Sequence, residues 1–180
     1  MYDGPYPFIQ TGEISQTSRF VGEHHQTLSE EGYRVSKQFP SGTLVMTITG
    51  AGTANVAILN FVACFPDSIV GFVPTDGVSI DYLYNLFFAM REALLSTAVT
   101  NTQPNLNIER IGALLTVKPP PDEQEAIVEK IEQTSGNYDT LIAEAERAIE
   151  LLQERRTALI SAAVTGKIDV QHRIKLLETV

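Results

Sequence analysis

The strongest constraint on the fold is a helical repeat held between two sets of helix breakers. Pro119-Pro120-Pro121-Asp122-Glu123-Gln124 stands in front of it, and Ala163-Val164-Thr165-Gly166-Lys167-Ile168-Asp169-Val170 stands behind. Between them, apolar or small residues recur at Val128, Ile131, Ser135, Tyr138, Ile142, Ala145, Ile149, Leu152, Leu159 and Ala163. Steps of three and four hold an a/d seam over several heptads, with Arg156 as its interruption. Asp122, Glu123 and Glu125 suit the positive end of the helix dipole, Arg155, Arg156 and Lys167 the negative end, and Gly166 can close the helix in left-handed geometry. A helix from Asp122 to about Thr165 is roughly 65 Å long, more than the diameter of a compact domain of this size. Such a helix needs a partner. Ile127, Leu141, Ala148, Leu151 and Ile160 lie beside the seam and widen its apolar face, either for a second partner or for packing back on the rest of the chain.

The residues before Pro119 read as mixed α and β, with short β-rich runs separated by Gly, Pro, Asn and Asp. Strands are expected at 6–9, 43–48, 54–59, 68–73 and 113–117, with Gly50-Ala51-Gly52 turning between the second and third, and the sheet is expected to curl into a barrel-like core. Ser79 can cap a helix in which Ile80, Leu83, Tyr84, Phe87, Phe88, Arg91, Leu94 and Leu95 follow helical spacing and give an apolar face, and Asn107 can cap a short helical turn. The fold class is therefore α+β: one mixed domain over 1–118, one long coiled-coil helix over 119–170 and a tail over 171–180. With 180 residues, 43% of them hydrophobic, the chain can build one ordinary core and such an appendage.

Charge and cysteine content narrow the function. The net charge is -9, and neither the first 120 residues (ten acids, six bases) nor the remainder (twelve acids, seven bases) is a basic module, so any contact with DNA must be local or shared with a partner. A lone cysteine, Cys64, excludes a disulfide framework and points to a reducing, cytoplasmic compartment. No leader-like segment opens the sequence and no apolar run is long enough to span a bilayer, so no membrane partner is expected.

Enzyme signatures fail when tested. The run Gly50-Ala51-Gly52-Thr53-Ala54-Asn55 lacks the third glycine of a dinucleotide loop and is followed by another β-like segment, so it reads as a hairpin turn. Pro66-Asp67 has no acid two residues before any lysine to complete a nuclease centre. His24-His25 lacks a second ligand pair, and neither the serines nor Cys64 have a histidine at a recognisable catalytic spacing. No catalytic residue, metal or cofactor is expected.

The brackets and the seam together carry a family resemblance. Pro120-Pro121, Glu123-Gln124, Ile127, Ile131, Asp139, Leu141-Ile142, Ile149, Leu152, Arg155-Arg156, Ala158-Leu159-Ile160 and the run from Ala163 to Ile168 resemble the helical region of the specificity (S) subunit of type I restriction-modification systems. Upstream, Pro7-Phe8-Ile9-Gln10-Thr11-Gly12-Glu13-Ile14, Gly42-Thr43-Leu44-Val45-Met46 and Thr102-Gln103-Pro104-Asn105-Leu106 resemble landmarks of that family's target recognition domain. The resemblance implies a non-catalytic subunit whose recognition domain reads half of a split double-stranded DNA site. Its helix serves as spacer and docks the S-adenosylmethionine-dependent methyltransferase (M) subunit, and through it the ATP-dependent restriction (R) subunit. Members of the family usually carry two recognition domains and two helices that pair antiparallel, whereas this sequence carries one of each. That difference implies a half-subunit that homodimerises through Ile131, Tyr138, Ile142, Ala145, Ile149, Leu152 and Leu159. The stretch that usually precedes the Pro-Phe-Ile strand is not seen. The alternative is therefore an oligomerisation module or truncated remnant that pairs with full-length S subunits without reading DNA.

Groove reading needs side chains with paired donors or acceptors, and phosphate anchoring needs cations or hydroxyls. In the polar loop expected from Thr11 to Lys37 these are Thr11, Arg19, His24, His25, Arg34 and Lys37, with Arg34 and Lys37 suited to phosphate or guanine. On the later loop they are Thr102, Gln103 and Asn105, matching the Thr-Gln-Pro-Asn element. Asn105 and Thr102 serve equally well to stabilise a turn ahead of the Asn107 cap.

Overall fold

The computed structural model describes residues 1–100 and 104–168. In chain order the elements are β1 (Tyr2–Phe8), α1 (Thr11–Gln16), β2 (Phe20–Val21), β3 (Gln26–Leu28), α2 (Glu30–Val35), β4 (Leu44–Thr47), β5 (Val56–Leu59), β6 (Ile69–Phe72), α3 (Ile80–Ala89), α4 (Arg91–Thr97), β7 (Val99–Thr100), β8 (Pro104–Asn105), α5 (Ile108–Gly112) and α6 (Pro121–Val164). The chain divides into two compact units, Met1–Glu129 and Lys130–Val180. The expected tail at 171–180 and the last two residues of the bracketed run, 169 and 170, lie outside the described residues.

Unit 1 is built on the sheet β2-β5-β4-β6. Every residue of β4 and β5 is buried, which is why these runs are apolar throughout but for Thr47 rather than alternating. Side chains still alternate between faces. Val45, Ala57 and Leu59 point into one cluster with Ile9, Ile14, Val21, Phe39 and Ile69. Leu44, Met46, Val56 and Ile58 point into another with Leu94, Leu106 and Ile111, against which α3 packs Leu83, Tyr84 and Phe87. The β4–β5 hairpin is antiparallel, β6 lies antiparallel on the other edge of β4, and β2 adds a short parallel rung to β5. The hairpin turn falls at Gly50-Ala51-Gly52 as expected and runs on to Ala54, with Gly50 and Ala54 both at positive φ. Its buried hydroxyls are satisfied: Thr53 Oγ1 donates to Gly50 O at 2.6 Å and Thr47 Oγ1 donates to Gly52 O. At Gly71 the stacked rings of Phe39 and Phe65 close on the backbone, and an added β-carbon would lie 2.7 Å from Phe39.

Four expectations are corrected in detail. Among the described residues the α+β class holds but the sheet does not close into a barrel: β1 pairs separately with β3, β7 with β8, and strands of two to four residues in the main sheet give too little length to wrap around. Residues 113–117 form no strand. Ala113 is the helical C-cap of α5, Leu115 is 98% exposed, and the run pairs with no strand. The helix after the Ser79 cap is two helices, α3 and α4, joined at Met90, where ψ is 2°. Finally, the polar stretch 11–37 is not one loop but holds α1, β2, β3 and α2.

The caps agree with expectation. Ser79 Oγ accepts from Tyr82 N and Asn107 Oδ1 accepts from Glu109 N. Pro120 O receives the amides of Glu123 and Gln124, which places Pro121 in the first helical position of α6, where its missing N–H costs nothing. At the other end Gly166 has φ +71°, with Gly166 N donating to Ala163 O and Lys167 N to Ala162 O, the paired bonds of a Schellman closure.

Candidate nucleic-acid interface

The first turns of α6 belong to unit 1 and are fixed there by one side chain. Gln124 is completely buried: its Oε1 accepts from Ser79 N at 2.8 Å, and its Nε2 donates to Gly77 O at 2.9 Å and Pro119 O at 2.8 Å. One amide thus ties the start of α6 to the start of α3 and to the segment between them. Val128, a turn later, is also buried. Tyr82 adds a bond from its hydroxyl to Val117 O. The role of Gln124 was not legible in the sequence, although the residue stands inside the Glu-Gln bracket; the signal is an amide one turn after three prolines, where an exposed helix would carry any polar residue.

The expected DNA-contacting residues separate into groups. Thr11 opens α1, and its carbonyl accepts from Ser15 Oγ. On the same helix Glu13 ties down the neighbouring backbone, accepting from Gln10 N and His25 N, each at 2.6 Å, while His25 Nδ1 lies 3.2 Å from the same carboxylate. The cleft beside them is lined by Glu13, Glu23 and His25, and its carboxylates oppose a phosphate. His24 instead stacks at a tilt on Phe61, centroids 5.4 Å apart. Arg19 turns to α3: its Nη2 meets Asp81 Oδ1 at 2.5 Å, and its guanidinium lies over Phe20 and Tyr84 at 5.4 and 5.7 Å. Burial raises the Tyr84 phenol above its ordinary value, opposed by the Arg19 charge, and the protonated hydroxyl donates to Ser18 O.

Arg34 and Lys37 are exposed at and just beyond the end of α2, with Lys37 Nζ 4.9 Å above the Phe39 ring. Asn105 is exposed on β8, next to the hairpin turn through the Thr49–Asn105 bridge. Thr102 and Gln103 lie outside the described residues. Among the described residues no three His, Cys, Asp or Glu side chains gather to hold a metal ion, and no helix is long and apolar enough to cross a membrane.

Unit 2 continues α6 from Lys130. Ile142 and Ile149 are 56% and 54% exposed, and Tyr138, Ala145, Leu152 and Leu159 are exposed with them, so the seam expected from the heptads lies open along this helix. Beside it Leu141, Leu151 and Ile160 are exposed as well.

The fold has solved counterparts. A chain from a structural study of complex assembly and conformational transition in a type I restriction-modification system is similar over 89% of this chain and 38% of its own length, at 18% identity and a TM-score of 0.70. The HsdS subunit from Thermoanaerobacter tengcongensis is similar over 76% of this chain and 31% of its own, at 17% identity and a TM-score of 0.55. The chain therefore spans about a third of each neighbour. No curated protein matches the sequence. The family model for the type I restriction modification DNA specificity domain matches residues 2–151, through the whole of unit 1 and into the exposed seam of α6. With most of its length accounted for by that model, the chain belongs to the type I restriction-modification DNA specificity domain family.

Proposed function

We propose that unit 1 reads one half of a split double-stranded DNA site, and that α6 is the spacer and docking arm of a non-catalytic specificity subunit. The family match over residues 2–151 carries this reading. The open seam of α6 supports the second part, because a run of half-exposed Ile, Leu and Tyr at heptad spacing loses far more water by pairing than by standing alone. The partner helix is that of a second copy, antiparallel, so that two identical recognition units face a twofold-symmetric site. The broad flank of Leu141, Leu151 and Ile160 leaves surface for a methyltransferase subunit, through which a restriction subunit joins.

On unit 1, Arg34 and Lys37 are the expected cationic anchors, being exposed and on one short stretch. Changing both to alanine is expected to weaken binding to a DNA duplex roughly tenfold and to lower the salt slope by about two, while leaving self-association unchanged. Fluorescence anisotropy across a salt series measures this. Equal slopes for the variant and the parent chain remove the end of α2 from the interface.

The competing reading is a module that pairs with a full-length S subunit without touching DNA, and the acidic balance of the chain favours it. Failure of the parent chain to bind duplex DNA, alone or with a methyltransferase subunit, would decide for that reading.

A further inference from the structure

We infer that the cleft between α1, the β4–β5 turn and the α3–α4 joint is a second DNA contact, one that holds a nucleotide of the sugar-phosphate backbone. The inference rests on the reading of unit 1 as a DNA-binding domain and adds where a strand is gripped. The cleft has a volume of about 330 Å³, and its useful groups are Ser15, Ser18, Asn55, Tyr84, Phe88 and Arg91. It is lined by an arginine and by no carboxylate, whereas the clefts beside His25 and along α6 are lined by Glu13 with Glu23, by Asp3 with Glu13, and by Glu150 with Glu154. In a domain with more acids than bases, a cleft of that character is where an anion meets least repulsion.

The polar wall is held in place from inside. Ser15 Oγ donates to Thr11 O at 3.0 Å and accepts from Asn55 Nδ2 at 3.0 Å, and Asn55 Oδ1 accepts from Arg91 Nε at 3.4 Å. Arg91 is thereby oriented through Nε, and among the described residues no hydrogen bond engages its two terminal nitrogens. These are the pair that reaches a phosphate in bidentate fashion. A β-carbon at Gly52 would collide with Ser15 Oγ, so the turn must carry glycine for this wall to form. The rest of the useful lining is aromatic. Phe88 is 63% exposed and stacks in series on Tyr84, centroids 6.3 Å apart, giving an open ring face for a deoxyribose or an exposed base edge.

The experiment uses the full chain and a fluorescein-labelled duplex of random sequence, titrated over a series of salt concentrations. For Arg91→Ala the salt slope is expected to fall by about one and affinity by about tenfold, while Arg91→Lys retains the slope because the charge remains. Phe88→Ala is expected to weaken binding with the slope unchanged, since no phosphate contact is lost. A purely structural role for Arg91 would lower the melting temperature and leave the slope of the folded protein intact. An unchanged slope in R91A overturns the proposal, as does a loss confined to capture of a methyltransferase subunit, which would make the cleft a protein contact. If the parent chain shows no salt-dependent binding at all, the broader reading of unit 1 fails instead, and the two failures are told apart.

Discussion

Replacing Ile142 and Ile149 together with aspartate is expected to abolish self-association of the chain at concentrations where the parent is dimeric. Both residues sit on the open seam of α6, two turns apart, each more than half exposed in the single chain. In a paired helix they would be buried against their counterparts, and each aspartate would bring a carboxylate into an apolar contact with no cation arranged to meet it. With two aspartates on each of two chains, a penalty of about 2 kcal/mol apiece, a modest figure for an unpaired buried charge, raises the dissociation constant roughly a millionfold. Because the same side chains face solvent in the isolated chain, the circular dichroism and melting of unit 1 should not change. Sedimentation equilibrium separates the outcomes: a dimer that survives both charges pairs through another face, and a parent chain that is monomeric at micromolar concentration takes its helix partner from a different protein.

The second large effect is expected at Gln124. Alanine there removes three hydrogen bonds at once and opens a cavity in a fully buried site. The carbonyls of Gly77 and Pro119 can recover water, but Ser79 N–H sits at the start of α3 and loses a positioned acceptor. The expected cost is about 2–3 kcal/mol of stability for unit 1. Gln124→Glu is expected to cost more at neutral pH, since the carboxylate still accepts from Ser79 N but presents negative oxygen to two carbonyl oxygens. Urea unfolding gives the magnitude, and hydrogen exchange at the first turn of α3 gives the location. A Q124A chain as stable as the parent, with Ser79 N–H equally protected, would mean that the prolines alone anchor the start of α6.

The parts of the fold that were legible in the sequence are those whose signals are local. The long helix announced its own ends, because proline in the first turn and glycine after the last are fixed by backbone geometry and need no tertiary partner. The Ser79 and Asn107 caps and the Gly50-Ala51-Gly52 turn are local in the same sense. Strands β4 and β5 stood out as apolar runs, broken only by Thr47, because both faces are covered, an arrangement that composition records directly.

The misreadings have the opposite character. Residues 113–117 carry the apolar run of a strand, yet a strand exists only where it pairs with another, and here Leu115 and Val117 stay exposed without a partner strand. The stretch 11–37 reads as polar loop because its helices and strands are two to six residues long and draw their stability from contacts elsewhere: α1 from Ile14 buried in the core, β2 from its parallel rung on β5. The ion pair of Arg19 with Asp81 was hidden for the same reason: it joins residues far apart in the chain, and no spacing rule links them.

By itself the sequence determined the family, the α+β class and the presence of one long helix with an apolar seam, since heptad periodicity and capping are properties of neighbours along the chain. Tertiary structure alone decided which polar residues meet one another. It buried Gln124 as the lock on the start of α6, bound Arg19 to Asp81 and tied Glu13 into the backbone around His25. It also brought Ser15, Asn55 and Arg91 into one hydrogen-bonded wall from three separate segments. The physical reason is that a hydrogen bond or an ion pair depends on distance in space, whereas the sequence carries distance along the chain.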